Sequence, residues 1–221
     1  MSLHRRQILA GLAATAALAG CGGGGYGDAA PTRLIWLLNV NPEVTSADVS
    51  FGATTVASAL PFPGLTPRVE IAYGYYSFSI RNRANGLTTT FDNVLVDGYS
   101  PTITVFYRKG TSTRLGASPI GIINYFDSTE LLKVELDDGA GNVQLSVLAF
   151  ESAAPQASQS VNCRLRLRRA SDDVLVYDSG LRFREDAIVI FPADPASGLV
   201  SAAGLSYTAT DAQLVSWPNT L

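Results

Sequence analysis

Histidine and methionine each occur once, as His4 and Met1. Beyond residue 4 the chain has no imidazole. That excludes a histidine general base, a Ser-His-Asp triad and histidine-ligated zinc, copper or haem. Lysine is nearly absent too, with only Lys109 and Lys133. Phe106 and Glu130 stand three residues before them, so there is no Ser-x-x-Lys nucleophile. Cysteine is confined to Cys21 and Cys163. Charged residues make up only 16% of the chain against 47% hydrophobic ones, a balance that builds a core and excludes disorder for most of its length. No heptad pattern or long amphipathic helix is written in the sequence, and the longest apolar run is too short to cross a bilayer as a helix.

That apolar run, residues 8–17, follows Arg5 and Arg6 and precedes Leu18-Ala19-Gly20-Cys21. A basic start, a short apolar stretch and small residues at a cut site make a secretion signal. The closing tetrapeptide resembles the lipobox of bacterial lipoproteins, which implies that the Cys21 thiol is diacylated and becomes the new N-terminus; an ordinary secretory signal with an incidental cysteine is the plainer alternative. Arg5-Arg6-Gln7-Ile8-Leu9 resembles the core of a twin-arginine signal, and Sec export fits the same residues. Cleavage after residue 20 leaves 201 residues, suited to one large β-domain or two small ones. It also removes Arg5 and Arg6, leaving 14 basic against 19 acidic residues, a formal charge of −5 with no pull toward nucleic-acid phosphates. With Cys21 acylated, Cys163 has no partner for a disulfide within the chain. It reads as a small buried apolar side chain, with a reactive or intermolecular thiol as the other reading.

Residues 21–32 form a lipidated cysteine and a Gly-rich tether; ten such residues reach roughly 17 Å as a flexible coil. From Arg33 onward, short apolar runs alternate with turn residues, as in an all-β sandwich. Strands are expected at 33–39, 47–51, 54–59, 68–73, 75–82, 87–95, 102–108, 120–125, 131–137, 142–150, 161–168, 173–177, 187–191, 204–210 and 212–217. In Tyr76-Ser77-Phe78-Ser79-Ile80-Arg81 the apolar side chains share one face. Gly74 interrupts that alternation and predicts a bulge or tight turn. Asn85-Gly86, Asp97-Gly98 and Asp138-Gly139 mark turns. Residues 127–134 suit one turn of helix, and 152–160 a loop or linker. The Asp137–Gly141 cluster predicts a boundary at about residue 140, giving β-domains at 33–140 and 141–221.

The first of these resembles the bacterial family called domain of unknown function 4397. The matching pieces are the apolar strand 34–38, the turn Asn39-Val40-Asn41-Pro42-Glu43 and the short strand Ala47-Asp48-Val49-Ser50-Phe51-Gly52. Further on stand Gly74-Tyr75-Tyr76-Ser77-Phe78, Asp97-Gly98-Tyr99-Ser100-Pro101-Thr102-Ile103-Thr104-Val105 and Leu136-Asp137-Asp138. The likeness covers about residues 33–150. It departs from the family at Ser50 and at Leu60-Pro61-Phe62-Pro63, and fades past Asn142, where 143–150 opens a degenerate second copy. The resemblance implies an immunoglobulin-like antiparallel β-sandwich in the cell envelope and carries no catalytic residues.

Arg164, Arg166 and Arg168 alternate with Cys163, Leu165 and Leu167, which sets three guanidinium groups on one strand face with Arg169 beside them. Such a row suits a phosphate, an acidic glycan or a lipid headgroup. The row reads first as a solvated face paired with Asp172, Asp173 or Asp178. Tyr73, Tyr75, Tyr76, Tyr99 and Tyr107 suit either sugar stacking or packing, and Trp36 and Trp217 read as core residues. Residues 137–142 lack the ligand spacing of a calcium loop and read as an Asp-Gly turn. No carboxylate pair stands out for glycoside hydrolysis. The expectation is a lipid-anchored envelope protein, held to the membrane by its N-terminal lipid and leaning to the outer membrane because Gly22 lacks the retaining aspartate. Its role is expected to be structural or interactive and not enzymatic, with no cofactor and no metal, facing an envelope glycan or protein partner. A periplasmic or surface protein binding glycan or anionic polymer is the first alternative, and a carboxylate-based hydrolase the second.

Overall fold

The computed structural model of the protein describes residues 30–100, 103–109, 111–116, 121–156, 162–183, 185–208 and 211–221. The fold is all-β, with no helix among the described residues. Residues 127–131 make no helical turn, because Leu132, Val134 and Leu136 alternate into a core and hold the following segment extended.

The chain writes one topology twice. The first half comprises β1 (Thr32–Asn39), β2 (Ser46–Phe51), β3 (Thr54–Pro61), β4 (Gly64–Leu65), β5 (Val69–Ala72), β6 (Gly74–Asn82), β7 (Thr88–Val96), β8 (Ile103–Lys109) and β9 (Ser112–Gly116). Its sheets run β3-β2-β6-β7 and β4-β1-β8-β9, with β5 added along the start of β1. The second half comprises β10 (Gly121–Asn124), β11 (Leu132–Asp137), β12 (Val143–Leu148), β13 (Ala153–Ala154), β14 (Asn162–Arg169), β15 (Leu175–Phe183), β16 (Ala187–Pro192), β17 (Val200–Tyr207) and β18 (Ala212–Trp217). Its sheets run β12-β11-β14-β15 and β13-β10-β16-β17-β18. In both halves the first strand pairs parallel with a late one, β1 with β8 and β10 with β16, and the other pairings are antiparallel.

Local devices repeat with the topology. Asn39 closes β1, its amide donating to Val44 O (2.9 Å) and its Oδ1 accepting from Asn41 N–H (3.1 Å). Asn124 closes β10 in the same way, donating to Ala149 O (3.1 Å) and accepting from Phe126 N–H (2.9 Å). The β6–β7 ladder shifts register between Tyr76 and Phe78, with Asn93 at φ 57° on the bulged strand. The β14–β15 ladder shifts between Arg164 and Arg166, with Gly180 at φ 63°, a left-handed position that Gly and Asn tolerate best. Gly74, expected at a bulge or tight turn, marks the corner where the chain leaves β5 in one sheet for β6 in the other.

The boundary expected near residue 140 falls in the turn of the β11–β12 hairpin, paired from Leu132–Leu148 to Asp137–Val143. The first described strand of the second copy, β10, begins at Gly121. Among the described residues three large apolar clusters lie between the four sheets, with a small fourth of Ile35, Ile71 and Val96 where β5 joins β1. One fills the first half, joining Leu37 and Phe106 to Val49, Phe78 and Ile80. Another fills the second, joining Ile188, Ile190 and Trp217 to Val134, Leu165 and Tyr177. The third is shared: Trp36, Leu38, Val40, Val105 and Tyr107 of the first half pack on Val189, Phe191, Ala203 and Leu205 of the second. β1 and β16 are therefore buried on both faces, which is why each reads as an unbroken apolar run and not as alternation.

Candidate functional site

Along β14, Cys163, Leu165 and Leu167 are fully buried in the core of the second half, which turns the arginines to the outer face of their sheet. Cross-strand register then decides their chemistry. On β11, Asp137 lies opposite Arg164, Glu135 opposite Arg166 and Lys133 opposite Arg168; on β15, Asp178 lies opposite Arg166.

Arg164 grips Asp178 with both arms of its fork, Nε to Oδ1 at 2.9 Å and Nη2 to Oδ2 at 2.5 Å. Arg166 bonds Glu135 through Nη1, and its Nε stands 3.6 Å from Asp178. Arg168 donates to Asp173 O (3.1 Å), while Lys133 takes the Asp173 carboxylate at 2.8 Å. Arg169 pairs with Asp172 at 2.7 Å.

Asp178 is the hub, only 4% exposed, and its Oδ1 also accepts the Gly180 N–H (2.9 Å). The Arg164 hydrogen bond holds its carboxyl below the usual range, overcoming the opposing effect of burial, and the same bond raises the Arg164 guanidinium. Lys133 likewise lowers Asp173. The face is thus a ladder of interleaved cations and carboxylates in which Arg164 and Arg166 are already engaged. An incoming phosphate or sulfate would compete with Asp178 and Glu135 for the same donors. An open groove of about 510 Å³ beside it is lined by Lys133, Glu135, Arg168 and Asp173 on one side and by Leu145 and Val147 on the other.

The other sequence candidates do not join this face. Tyr75 (71% exposed) lies on β6, in the sheet at the far end of the stack from β14. Tyr73 and Tyr99, also exposed, belong to the first half as well, whereas the arginine row belongs to the second. Tyr76 donates its hydroxyl to Ala72 O (2.8 Å) and Tyr107 is buried in the shared core. Trp36 and Trp217 are core residues. In the Asp-Gly turn, Asp137 accepts Gly139 N–H, while Asp138 accepts Ala140 N–H and the Asn142 backbone and side chain, so these oxygens cap the turn. The buried carboxylates among the described residues, Asp138 and Asp178, are both held by hydrogen bonds. Cys21 lies outside the described residues.

One polar cluster escaped the sequence. Glu151, at φ 58° between β12 and β13, accepts hydrogen bonds from Lys109 Nζ (2.5 Å) and the Tyr107 hydroxyl, both on β8. The Tyr107 ring stacks 4.6 Å from Tyr125, and the Lys109 ammonium sits 5.5 Å from the Phe150 ring centroid. Lys109 and then Tyr107 hold the Glu151 carboxyl down; burial, with Glu151 nearby, pushes the Tyr125 hydroxyl up to about 12. The cluster clasps the two halves together. No signal in the sequence links residues so far apart. No protein-family model matches the chain, and no curated protein matches it.

Proposed function

We propose that this chain is a lipid-anchored protein of a bacterial cell envelope, held through Cys21 and serving a non-catalytic structural or interaction role, in the manner that its likeness to the domain of unknown function 4397 family implies. The observation that carries the non-binding half of this reading is the outer face of β14. Arg164 and Arg166 are spent on Asp178 and Glu135, and Arg168 donates to the Asp173 carbonyl, so the residue row best suited to anionic polymer is largely occupied from within. The lipobox-like Leu18-Ala19-Gly20-Cys21 carries the anchoring half, since the two or three acyl chains of such a cysteine anchor stably where one would not. The lean to the outer membrane rests on Gly22.

The test is a titration of the chain from residue 26 with heparin, polyphosphate and lipopolysaccharide core. The wild type should show no saturable binding at physiological salt. Saturable binding that disappears in R164Q/R166Q/R168Q, with an unchanged circular dichroism spectrum, would replace this reading by the ligand-binding one.

A further inference from the structure

β12 is the end strand of its sheet, paired with β11 on one side and with no strand on the other among the described residues. Register decides which groups face the open side. At the hairpin end Asp138 N–H donates to Asn142 O, so Gln144, Ser146 and Leu148, in step with Asn142, turn their backbone groups toward β11. Val143, Leu145 and Val147 turn theirs outward. The same three carry exposed side chains, 50%, 75% and 57% exposed. One edge therefore offers three N–H groups, three C=O groups and an apolar row.

The matching edge of the first half is blunted. β3 breaks register with β2 twice, and it places Ala59 at φ 56° with its N–H taken by Asp48 (3.1 Å). It ends in Pro61, and its exposed residues are Thr, Ser, Ala and Pro. Bulges, proline and polar side chains are how natural sheets keep an edge from pairing. β12 has none of these on its outward row: its ladder with β11 is unbroken, and it contains neither proline nor charge.

We infer that β12 docks a second copy of this chain, the two β12 strands lying antiparallel about a two-fold axis at Leu145 and joining two four-stranded sheets into one of eight. The outward row Val143, Leu145, Val147 reads the same in both directions, as an isologous contact requires. Val143 then faces Val147 of the partner subunit and Leu145 faces its own equivalent, all as hydrogen-bonded pairs of the strand-addition kind. No charge in the row meets a like charge. Behind it, Asp137 flanks Val143 and Lys133 flanks Val147, so the antiparallel arrangement sets the acidic end of one sheet beside the basic end of the other, where a parallel one would set like beside like. The inference goes beyond the envelope role and does not rest on the lipid; anchoring, read separately by fractionation, would raise the effective concentration of the two edges.

The test is cysteine cross-linking of the full chain in the cells that produce it. Leu145→Cys removes no buried group, and Cα atoms of a hydrogen-bonded antiparallel pair lie about 5.5 Å apart, within the range a disulfide spans. Under mild oxidation L145C should give a linked dimer while the unaltered chain stays single. V143C alone should not cross-link, because its counterpart is Val147; V143C combined with V147C should. Adding Val147→Lys to L145C should remove the cross-link. An L145C chain that stays monomeric under these conditions, or V143C cross-linking as well as L145C, overturns the inference.

Discussion

Phe191→Ala tests whether the two halves form one cooperative unit. Phe191 is 1% exposed and packs from β16 into the layer shared with β1 and β8, its ring edge-on to Phe62 at 5.7 Å and 88°. Truncating a buried phenylalanine costs about 3–5 kcal/mol, part of it the edge-to-face contact of about 0.5–1.5 kcal/mol. With a urea dependence of about 2–3 kcal/mol per molar for a chain of this size, the midpoint should fall by roughly 1–2.5 M. The assay uses the only two tryptophans as separate reporters, Trp36 in the shared layer from the first half and Trp217 in the core of the second. Single-tryptophan versions (W217F and W36F) of the chain from residue 26 are unfolded with and without F191A. Both reporters should move together by the same amount. A Trp36 transition that keeps its midpoint while Trp217 shifts would refute a common core.

Other consequences follow from single residues. Asp178→Asn should cost about 1.5–3 kcal/mol at pH 7, the range for hydrogen bonds to a charged group. Because the folded carboxyl lies below its unfolded value of about 3.9, that contribution is present in full above the unfolded value and lost as pH falls through the folded one, so wild type and variant should converge in acid, as read from urea midpoints against pH. Cys163, fully buried against Leu165, should resist a bulky maleimide until the protein unfolds, and Cys163→Ser should cost about 1–3 kcal/mol; rapid native labelling would contradict its placement.

Much of this fold is legible before any coordinates, and what escapes does so for identifiable reasons. Alternation in residues 76–81 and 163–168 gives the faces of β6 and β14 correctly, because one side of each strand is solvated. The runs at Leu34–Leu38 and Ala187–Phe191 read as strands; that they are buried on both faces depends on what packs against the second one. Ile122-Ile123-Asn124-Tyr125 echoes Leu37-Leu38-Asn39-Val40, a faint signal of the second copy, whereas the Asp-Gly turn at residues 138–139 is the louder punctuation. β9 escaped because Ser112–Gly116 is rich in polar residues and pairs only as an outer strand, and β15 runs on to Phe183 because Gly180 bends it through a bulge. The arginine row was readable as a row. Its neutralisation was only half readable: Asp173 and Asp178 stand a turn away in sequence, whereas Glu135 reaches Arg166 through a register that only folding sets.

The anchor is the claim on which the proposed role depends most, and mass spectrometry of the mature chain isolated from membranes reads it directly. The account predicts an N-terminal Cys21 carrying acyl chains, and release of the protein into the soluble fraction by Cys21→Ser. An unacylated, soluble product from the unaltered gene would contradict it.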